Sequence, residues 1–174
     1  MKAYGVPKTA MIHGPATFGG IGEGCISSIE ALNILYDEGL IDNAAEQGAY
    51  LIERLKALQA KYPKLIKDVR GQGLMVGVEF QDFSETLPFM LKQAVAVLDD
   101  KLKGSLSGFI GSILLRDFNV LVAFTEYNRN VIRLEPPLIC TRADVDTFIT
   151  AMDELLGRGI VRIVTDFVTN YAKG

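Results

Sequence analysis

Apolar residues that recur every three or four positions predict two helices in the first third of the chain. The first follows Gly24 and leads to Gly39, a residue type that commonly ends a helix. The second begins near Asp42, which can cap its first turn, and stops at Tyr62-Pro63. Their apolar stripes are Cys25, Ile29, Leu32 and Tyr36 in the first helix, and Ala45, Gly48, Leu51, Ile52, Leu55 and Leu58 in the second. We therefore expect residues 25–61 to form two helices.

The pattern changes to strands beyond this point. Apolar and polar residues alternate on both sides of Gly71-Gln72-Gly73, as in two strands joined at a glycine turn or bulge. Two further strands are predicted at 120–124 and 131–134, and they end at Pro136-Pro137 because proline donates no ladder hydrogen bond. The strands predict a small, mostly antiparallel sheet of three to four strands.

Helices are predicted between and after these strands. Pro88 suits the first turn of a helix that ends before Gly104, with Leu87, Met90 and Leu91 on its buried face. A short amphipathic turn or helix is expected at 107–115. Thr141-Arg142-Ala143-Asp144 has the form of a capping box, and an apolar stripe continues from it to Gly157. Residues 62–157 are thus expected to form a small α+β domain with helices on one face of the sheet, and 158–174 a helical extension.

Composition narrows the class of protein. A chain of 174 residues that is 49% hydrophobic, with a net charge of -3, fits a globular cytoplasmic protein. Its lysines and arginines form no block, so no nucleic-acid partner is expected, and no apolar run approaches the ~20 residues of a membrane span. Cys25 and Cys140 favour two buried free thiols over a disulfide or a metal pair. With a single histidine, no metal site is expected.

Two positions carry candidate chemistry. The stretch H-G-P-A-T-F-G-G-I-G-E-G places glycines and Thr17 before a helix start, where free backbone N–H groups favour an anion. The alternative is an ordinary glycine-rich approach to a helix, since the G-K-[ST] of a P-loop is absent. Arg133 lies in the apolar strand V-I-R-L, where a guanidinium suits a carboxylate. The alternative is an arginine that faces solvent or pairs with Glu135. Glu79, near a strand end, is most simply a solvated charge.

Three motifs follow one another along the chain: T-F-G-G before a long helix, D-V-R-G-Q-G-L-M-V-G-V-E-F, and V-I-R-L-E-P-P-L-I-C-T before a terminal helix. In this order they resemble the carboxyl-terminal part of class III aminotransferases. These are pyridoxal-phosphate enzymes of fold type I, including ornithine, acetylornithine, putrescine and 4-aminobutyrate aminotransferases. The similarity covers about Ile12 to Leu156. It implies the small carboxyl-terminal domain of that fold, preceded by a long interdomain helix.

The resemblance also implies roles for individual residues. In that family the threonine of T-F-G-G binds the cofactor phosphate of the neighbouring subunit, so Thr17 and the adjacent Phe18 become candidate cofactor-binding residues. Residues 1–24 would then be a loop segment of the cofactor and dimer interface. The arginine before P-P-L binds a substrate carboxylate, a role that carries over to Arg133. The implied reaction transfers an amino group from an amine or ω-amino acid to a keto acid such as 2-oxoglutarate, in a homodimer.

The chain departs from the family pattern at two places. I-G-E-G follows T-F-G-G where relatives often have N-P-L-A. In the family the Schiff-base lysine, the aspartate at the pyridine nitrogen and the aromatic residue stacked on the ring lie in a larger domain upstream of T-F-G-G. Lys2 and Lys8 lie too near that motif to match the lysine, which transamination needs as imine partner and as base. No catalytic residue is therefore assigned.

The resulting expectation is a part of an aminotransferase that is inactive alone. It should self-associate through apolar faces on the first helix and around Phe18, because large exposed apolar patches usually find a partner. The alternative is a free-standing, non-catalytic binding or dimerisation module with the same small-domain fold. An anion-binding regulatory domain is a third possibility and rests on the glycine loop alone.

Overall fold

The computed structural model of the chain describes residues 21–82, 87–91, 93 and 106–171. The elements in these ranges are α1 (Gly22–Asp37), α2 (Leu40–Lys61), β1 (Ile66–Gln72), β2 (Met75–Phe80), α3 (Leu106–Phe118), β3 (Ala123–Phe124), β4 (Val131–Leu134), α4 (Arg142–Gly157) and α5 (Ile160–Tyr171). The chain divides into two compact units, Met1–Gly39 and Leu40–Gly174.

Helix α1 is the described element of the first unit. It begins three residues before the predicted start at Cys25. Gly39 adopts a φ of +62° just beyond its end, as predicted, because only glycine takes this conformation without strain. No residue of α1 is buried. Cys25 is therefore exposed, and the prediction that both thiols are buried is wrong for Cys25 and confirmed for Cys140. Helical spacing defines a face, but burial also requires an element that packs on it.

Helix α2 opens the second unit and ends before Tyr62-Pro63, as predicted. Its start differs from the prediction, because the helix begins at Leu40 and places Asp42 inside the first turn instead of at the cap. Ala45 is exposed, whereas Gln47, two residues later on another side of the helix, is buried. The remaining stripe is confirmed, since Gly48, Leu51, Leu55 and Leu58 are buried and Ile52 packs against the core.

A close approach of α2 to the β1–β2 turn explains one glycine of that stripe. A Cβ at Gly48 would lie 2.1 Å from the backbone oxygen of Gly73, so a larger residue would force the helix off the turn. Gly73 itself has a φ of +54°, which favours glycine. The predicted turn near 71–73 is thus confirmed, with its tightest part at Gly73.

The strands form one antiparallel sheet in the order β1-β2-β4-β3, which confirms the predicted α+β class and strand number. Strand β3 is shorter than the predicted 120–124. The backbone N–H of Val120 donates instead to the carbonyl oxygen of Leu114, within α3 (3.0 Å), and the intervening Asn119 takes a φ of +56°. The chain therefore reaches the edge of the sheet only at Ala123.

Apolar side chains on one face of the sheet join the core under the helices. We call this the covered face; it carries Val76, Val78, Phe80, Ile132 and Leu134. Helix α3, predicted only as a short turn or helix, spans 13 residues, and Phe109 from it meets Phe167 of α5 with ring centroids 4.7 Å apart. The extension after Gly157 thus packs on this unit.

Helix α4 has the predicted capping box. The hydroxyl oxygen of Thr141 accepts from the backbone N–H of Asp144, and the Asp144 carboxylate accepts from the backbone N–H of Thr141 (2.9 Å). Only the start of the helix predicted from Pro88 lies within the described ranges, where 89–91 and 93 are helical. Leu87 is buried there, but Met90 is 81% exposed and does not lie on a buried face.

Candidate functional site

Arg133 lies between two buried residues of β4, Ile132 and Leu134. Because side chains alternate along a strand, it belongs to the opposite side of the sheet from the covered face. Its side chain is 48% exposed, and its Nε is 3.7 Å from a carboxylate oxygen of Glu135. Both features of the alternative interpretation, solvent exposure and a pairing with Glu135, are present. An exposed pair at this distance contributes little, about 0–1 kcal/mol, and leaves the guanidinium able to bind another carboxylate.

The side of the sheet that carries Arg133 is here called the open face. A cross-strand row runs over it from Arg70 on β1 to Gly77 on β2, Arg133 on β4 and Ala123 on β3. The two direct neighbours of Arg133 in this row therefore have either no side chain or a single methyl group. No tall side chain therefore lies directly opposite Arg133 in either adjacent strand.

A second charged cluster on the open face surrounds Glu79. Lys67 donates from Nζ to one of its carboxylate oxygens (2.7 Å), and Arg70 donates from Nη1 to the other (2.8 Å). These hydrogen bonds, that of Lys67 foremost, lower the pKa of Glu79 to about 2. With 12% of its side chain exposed, Glu79 is not the solvated charge that the sequence suggested. The pairing of β1 with β2 brings Lys67 and Arg70 to Glu79. The signal in the sequence was that these two strand residues carry the charge opposite to that of Glu79.

Arg70 differs from Arg133 because two carboxylates hold it. Besides Glu79, it donates to Asp68 at 2.7 Å, and these hydrogen bonds, that of Asp68 first, raise its pKa. Arg133 has one distant partner. Of these two arginines, Arg133 is the one whose charge is available to a ligand.

A cavity of about 580 Å³ adjoins Arg133 where the segment before β3 and the segment after β4 separate. Its walls are mainly apolar and include Val120, Leu121 and Phe148, while Asp144 and Glu135 add carboxylates. Its volume lies within the range of about 300–1,000 Å³ that is usual for small-molecule sites.

The predicted cofactor-binding residues, Thr17 and Phe18, lie outside the described residues. Their phosphate-binding role stays a prediction, as does the carboxylate-binding role of Arg133. The described start of α1 has Ile21 at its cap position, with no side-chain cap hydrogen bond.

Two described lysines have surroundings that do not suit an imine with pyridoxal phosphate. Lys61 donates to Asp153 at 2.7 Å, and this hydrogen bond, followed by that with Tyr62, raises its pKa. Lys67 is held by Glu79. An imine-forming lysine must lose its proton, which the ion pair of Lys61 with Asp153 opposes, and the Nζ of Lys67 already donates to Glu79. Arg133 thus fits a contact with a bound substrate, whereas neither Lys61 nor Lys67 fits the imine.

In the part of the chain that the structure describes, no helix combines the length and apolar character required to cross a membrane. The same ranges contain no group of three histidine, cysteine, aspartate or glutamate residues that could hold a metal ion.

Comparison with known proteins places this geometry in a family. The family model "Aminotransferase class-III" matches residues 2–156. The chain is 36% identical over 139 residues to alanine–glyoxylate aminotransferase 2 homolog 2, mitochondrial, of Arabidopsis thaliana, covering 79% of this chain and 26% of that protein. It is 36% identical over 134 residues to ornithine aminotransferase of Bordetella pertussis, covering 77% and 26%. The chain thus spans about a quarter of the length of these curated relatives.

A solved structure extends the likeness to the fold. An amine transaminase from an uncultivated Pseudomonas species, in the PLP-bound internal aldimine form, has a TM-score of 0.58 and 28% identity, covering 82% of this chain and 29% of that one. Pyridoxal phosphate is the cofactor that accompanies the fold in this neighbour. Since the family model covers far more than half of the sequence, the chain belongs to the class III aminotransferase family.

Proposed function

We propose that this chain forms the small-domain part of a pyridoxal-phosphate-dependent aminotransferase. The enzyme would transfer an amino group from an amine or ω-amino acid to a keto acid such as 2-oxoglutarate. The observation that carries the proposal is Arg133, an exposed guanidinium with one distant partner beside a cavity of about 580 Å³. Family membership supports the reaction class, and a cytoplasmic location rests on the sequence profile alone.

Arg133 would bind the substrate carboxylate. A guanidinium presents parallel N–H donors that match the two oxygens of a carboxylate, and such bidentate pairs are among the stronger hydrogen bonds in proteins. An incoming carboxylate would replace Glu135, whose oxygen is 3.7 Å from Nε. Because β4 is paired on both sides, its backbone is fixed, so Arg133 would also orient the substrate.

Thr17 and Phe18 would contribute to binding the cofactor, which when bound carries the amino group from one substrate to the other. Neither Lys61 nor Lys67 suits the imine, as described above. We therefore propose that the chain alone does not catalyse the transfer.

Self-association is the second part of the proposal. Four apolar residues of α1 are more than half exposed: Ile26 (70%), Ile29 (59%), Leu32 (54%) and Tyr36 (72%). They have the spacing of one helix face, and exposed apolar patches of this kind usually mark an interface. A second copy of the chain would cover them, as in a homodimer. Sedimentation at micromolar concentration should detect a dimer or a larger species, and a monomer that binds no apolar dye would contradict this.

The role of Arg133 is tested by amino transfer to 2-oxoglutarate. The assay uses the enzyme of which this chain would form the small-domain part, here called the whole polypeptide, with pyridoxal phosphate bound. Arg133→Gln should raise KM for 2-oxoglutarate at least tenfold, since it removes a charge-assisted pair. Arg133→Lys should recover only part of this loss, because an ammonium does not bind both oxygens in one plane. An unchanged KM in Arg133→Gln would exclude Arg133 as the carboxylate-binding residue.

A chemical experiment separates the proposal from its alternative. The purified chain is incubated with pyridoxal phosphate and reduced with borohydride, and the lysine adducts are mapped by mass spectrometry. We expect no lysine to be labelled stoichiometrically. One saturated lysine would mean that the chain builds a complete cofactor site. Absence of amino transfer by the whole polypeptide would favour the non-catalytic module.

A further inference from the structure

The cavity of about 580 Å³ beside Arg133 has an apolar wall to which three parts of the chain contribute. Leu121 comes from the segment before β3, Pro136 from the segment after β4, and Phe148 from α4. Arg133 forms part of the same wall. A ligand in this space would therefore meet mainly carbon, together with a residue that bears a guanidinium.

Two polar residues of this wall already have partners within the fold. The carboxylate of Asp144 accepts from the hydroxyl of Thr141 (2.6 Å) and from its backbone N–H (2.9 Å), and these hydrogen bonds, that of the hydroxyl first, lower the pKa of Asp144. The hydroxyl of Thr147 donates to a carbonyl oxygen one turn back (2.8 Å). Arg133, by contrast, has Glu135 at 3.7 Å, beyond hydrogen-bond range. Of these three wall residues, Arg133 is the one with donors available to a ligand.

Leu121 is an apolar wall residue that lies outside the core. Its side chain is 81% exposed, whereas Val120 packs against the core and Val122 is buried. A single exposed leucine is ordinary on a protein surface, but one that borders an apolar cavity offers contact area to a ligand. Because Leu121 is so exposed, it can be replaced with little loss of core packing.

We propose that this cavity binds the apolar chain of a carboxylic acid whose carboxylate is held by Arg133. This rests on the carboxylate-binding role proposed for Arg133, and it narrows the carboxylate-bearing amino donors to amino acids with an apolar chain. The wall favours methylene groups over polar groups, because a buried polar group without a partner is costly. Glu135 and Asp144 add negative charge to the wall, so a second carboxylate within the cavity would be repelled. The inference therefore concerns the amino donor and not 2-oxoglutarate.

The test measures the binding of unbranched carboxylates by calorimetry, to this chain and to the whole polypeptide. Butanoate, hexanoate and octanoate carry the same carboxylate on chains of increasing length. Each methylene group that enters the cavity should strengthen binding by up to about fourfold, so we expect octanoate to bind both proteins at least tenfold more tightly than butanoate. Octanamide has the same chain without the charge and should bind at least fivefold more weakly than octanoate.

Substitutions in the wall test where the chain of the ligand lies. Leu121→Ser should weaken the binding of octanoate at least threefold and that of butanoate less than twofold, because the longer chain loses an apolar contact. Leu115→Ser is the matched control, since Leu115 on α3 is also more than half exposed but does not line the cavity. Arg133→Gln should weaken the binding of all three carboxylates by a similar factor and leave that of octanamide unchanged.

Three results would overturn the inference. Affinities that do not depend on chain length, or equal effects of Leu121→Ser and Leu115→Ser, would show that the ligand does not occupy the cavity. Octanoate that binds this chain but not the whole polypeptide would show that another part of the enzyme fills the cavity. Octanoate that adheres to the exposed face of α1 would respond to Ile29→Ser and not to Arg133→Gln.

Failure of the underlying proposal has a different signature. If Arg133→Gln leaves the affinities of all three carboxylates and KM for 2-oxoglutarate unchanged, the carboxylate-binding role fails and the inference about the cavity fails with it. If Arg133→Gln weakens the binding of all three carboxylates while chain length has no effect, only the inference about the cavity is wrong.

Discussion

The covered face and the open face of the sheet use the same strands for different purposes. Ile132 and Arg133 are consecutive residues of β4, yet one is completely buried in the core and the other is 48% exposed. The covered face is apolar, and helices pack on it. The open face carries the ion-pair cluster around Glu79 and one arginine with a distant partner. A two-residue period thus lets one strand contribute stability on one face and binding chemistry on the other.

The sharpest test of this division replaces the two consecutive residues of β4. Ile132→Ala should lower the free energy of unfolding by about 3 kcal/mol, because it removes buried methyl groups and leaves a cavity. Arg133→Gln should change it by less than about 0.5 kcal/mol, as is usual for an exposed site. Urea unfolding of both variants measures the difference. Equal losses would mean that the open face also contributes to the core.

The Glu79 cluster tests whether any part of the open face contributes to stability. The folded-state pKa of the Glu79 carboxyl group, about 2, lies below the ordinary value of 4.5. The ionised carboxylate therefore stabilises the fold above about pH 4.5. That contribution is lost as pH falls from 4.5 towards 2, because the unfolded chain then binds the proton more readily. Allowing for solvent screening of the exposed partners Lys67 and Arg70, Glu79→Gln should cost about 1.5 kcal/mol at pH 7.

Unfolding measured between pH 7 and pH 3 should therefore show a smaller loss of stability in Glu79→Gln than in the unmodified chain. Asp68→Asn provides the control, because Asp68 binds Arg70 alone and its side chain is 49% exposed. This variant should change stability at pH 7 by less than about 0.5 kcal/mol. An equal effect of the two substitutions would show that Glu79 has no special position.

The smallest expected effect concerns the helices that pack on the covered face. Thr141→Ala removes the side-chain half of the α4 capping box and should cost about 1 kcal/mol. Thr147→Ala is the control, since Thr147 is exposed on the same helix and its hydroxyl donates to a carbonyl one turn back, that of Ala143. Thermal unfolding of the two variants should separate them, and identical midpoints would indicate that the capping box contributes nothing measurable.

Much of the fold followed from short-range patterns. The apolar period of three to four residues located α2 and α4, and alternation located β1, β2 and β4. Those patterns were less reliable at boundaries: Asp42 lies inside α2, and β3 starts three residues later than predicted. The error at β3 arises because the backbone N–H of Val120 donates to the carbonyl of Leu114, outside the local pattern, and not to the sheet.

The candidate site was predictable only in part. Arg133 was predicted as a site residue because it is a charged residue inside an apolar strand, and the family motif predicted its role as a carboxylate-binding residue. The prediction that Glu79 is a solvated charge is wrong, because its partners Lys67 and Arg70 lie on another strand and contact it only when the hairpin forms. The position of Gly77 opposite Arg133 could not be predicted for the same reason, since nothing in its immediate sequence relates it to Arg133.

Local sequence patterns specify the order of the elements, the capping box of α4 and the family motifs, because each depends on residues within a few positions of one another. Two contacts arise only when the whole chain folds: Gly77 pairs with Arg133 across 56 positions of sequence, and α2 touches the turn at Gly73. Such contacts depend on strand register and on the packing of whole elements, which no local period specifies.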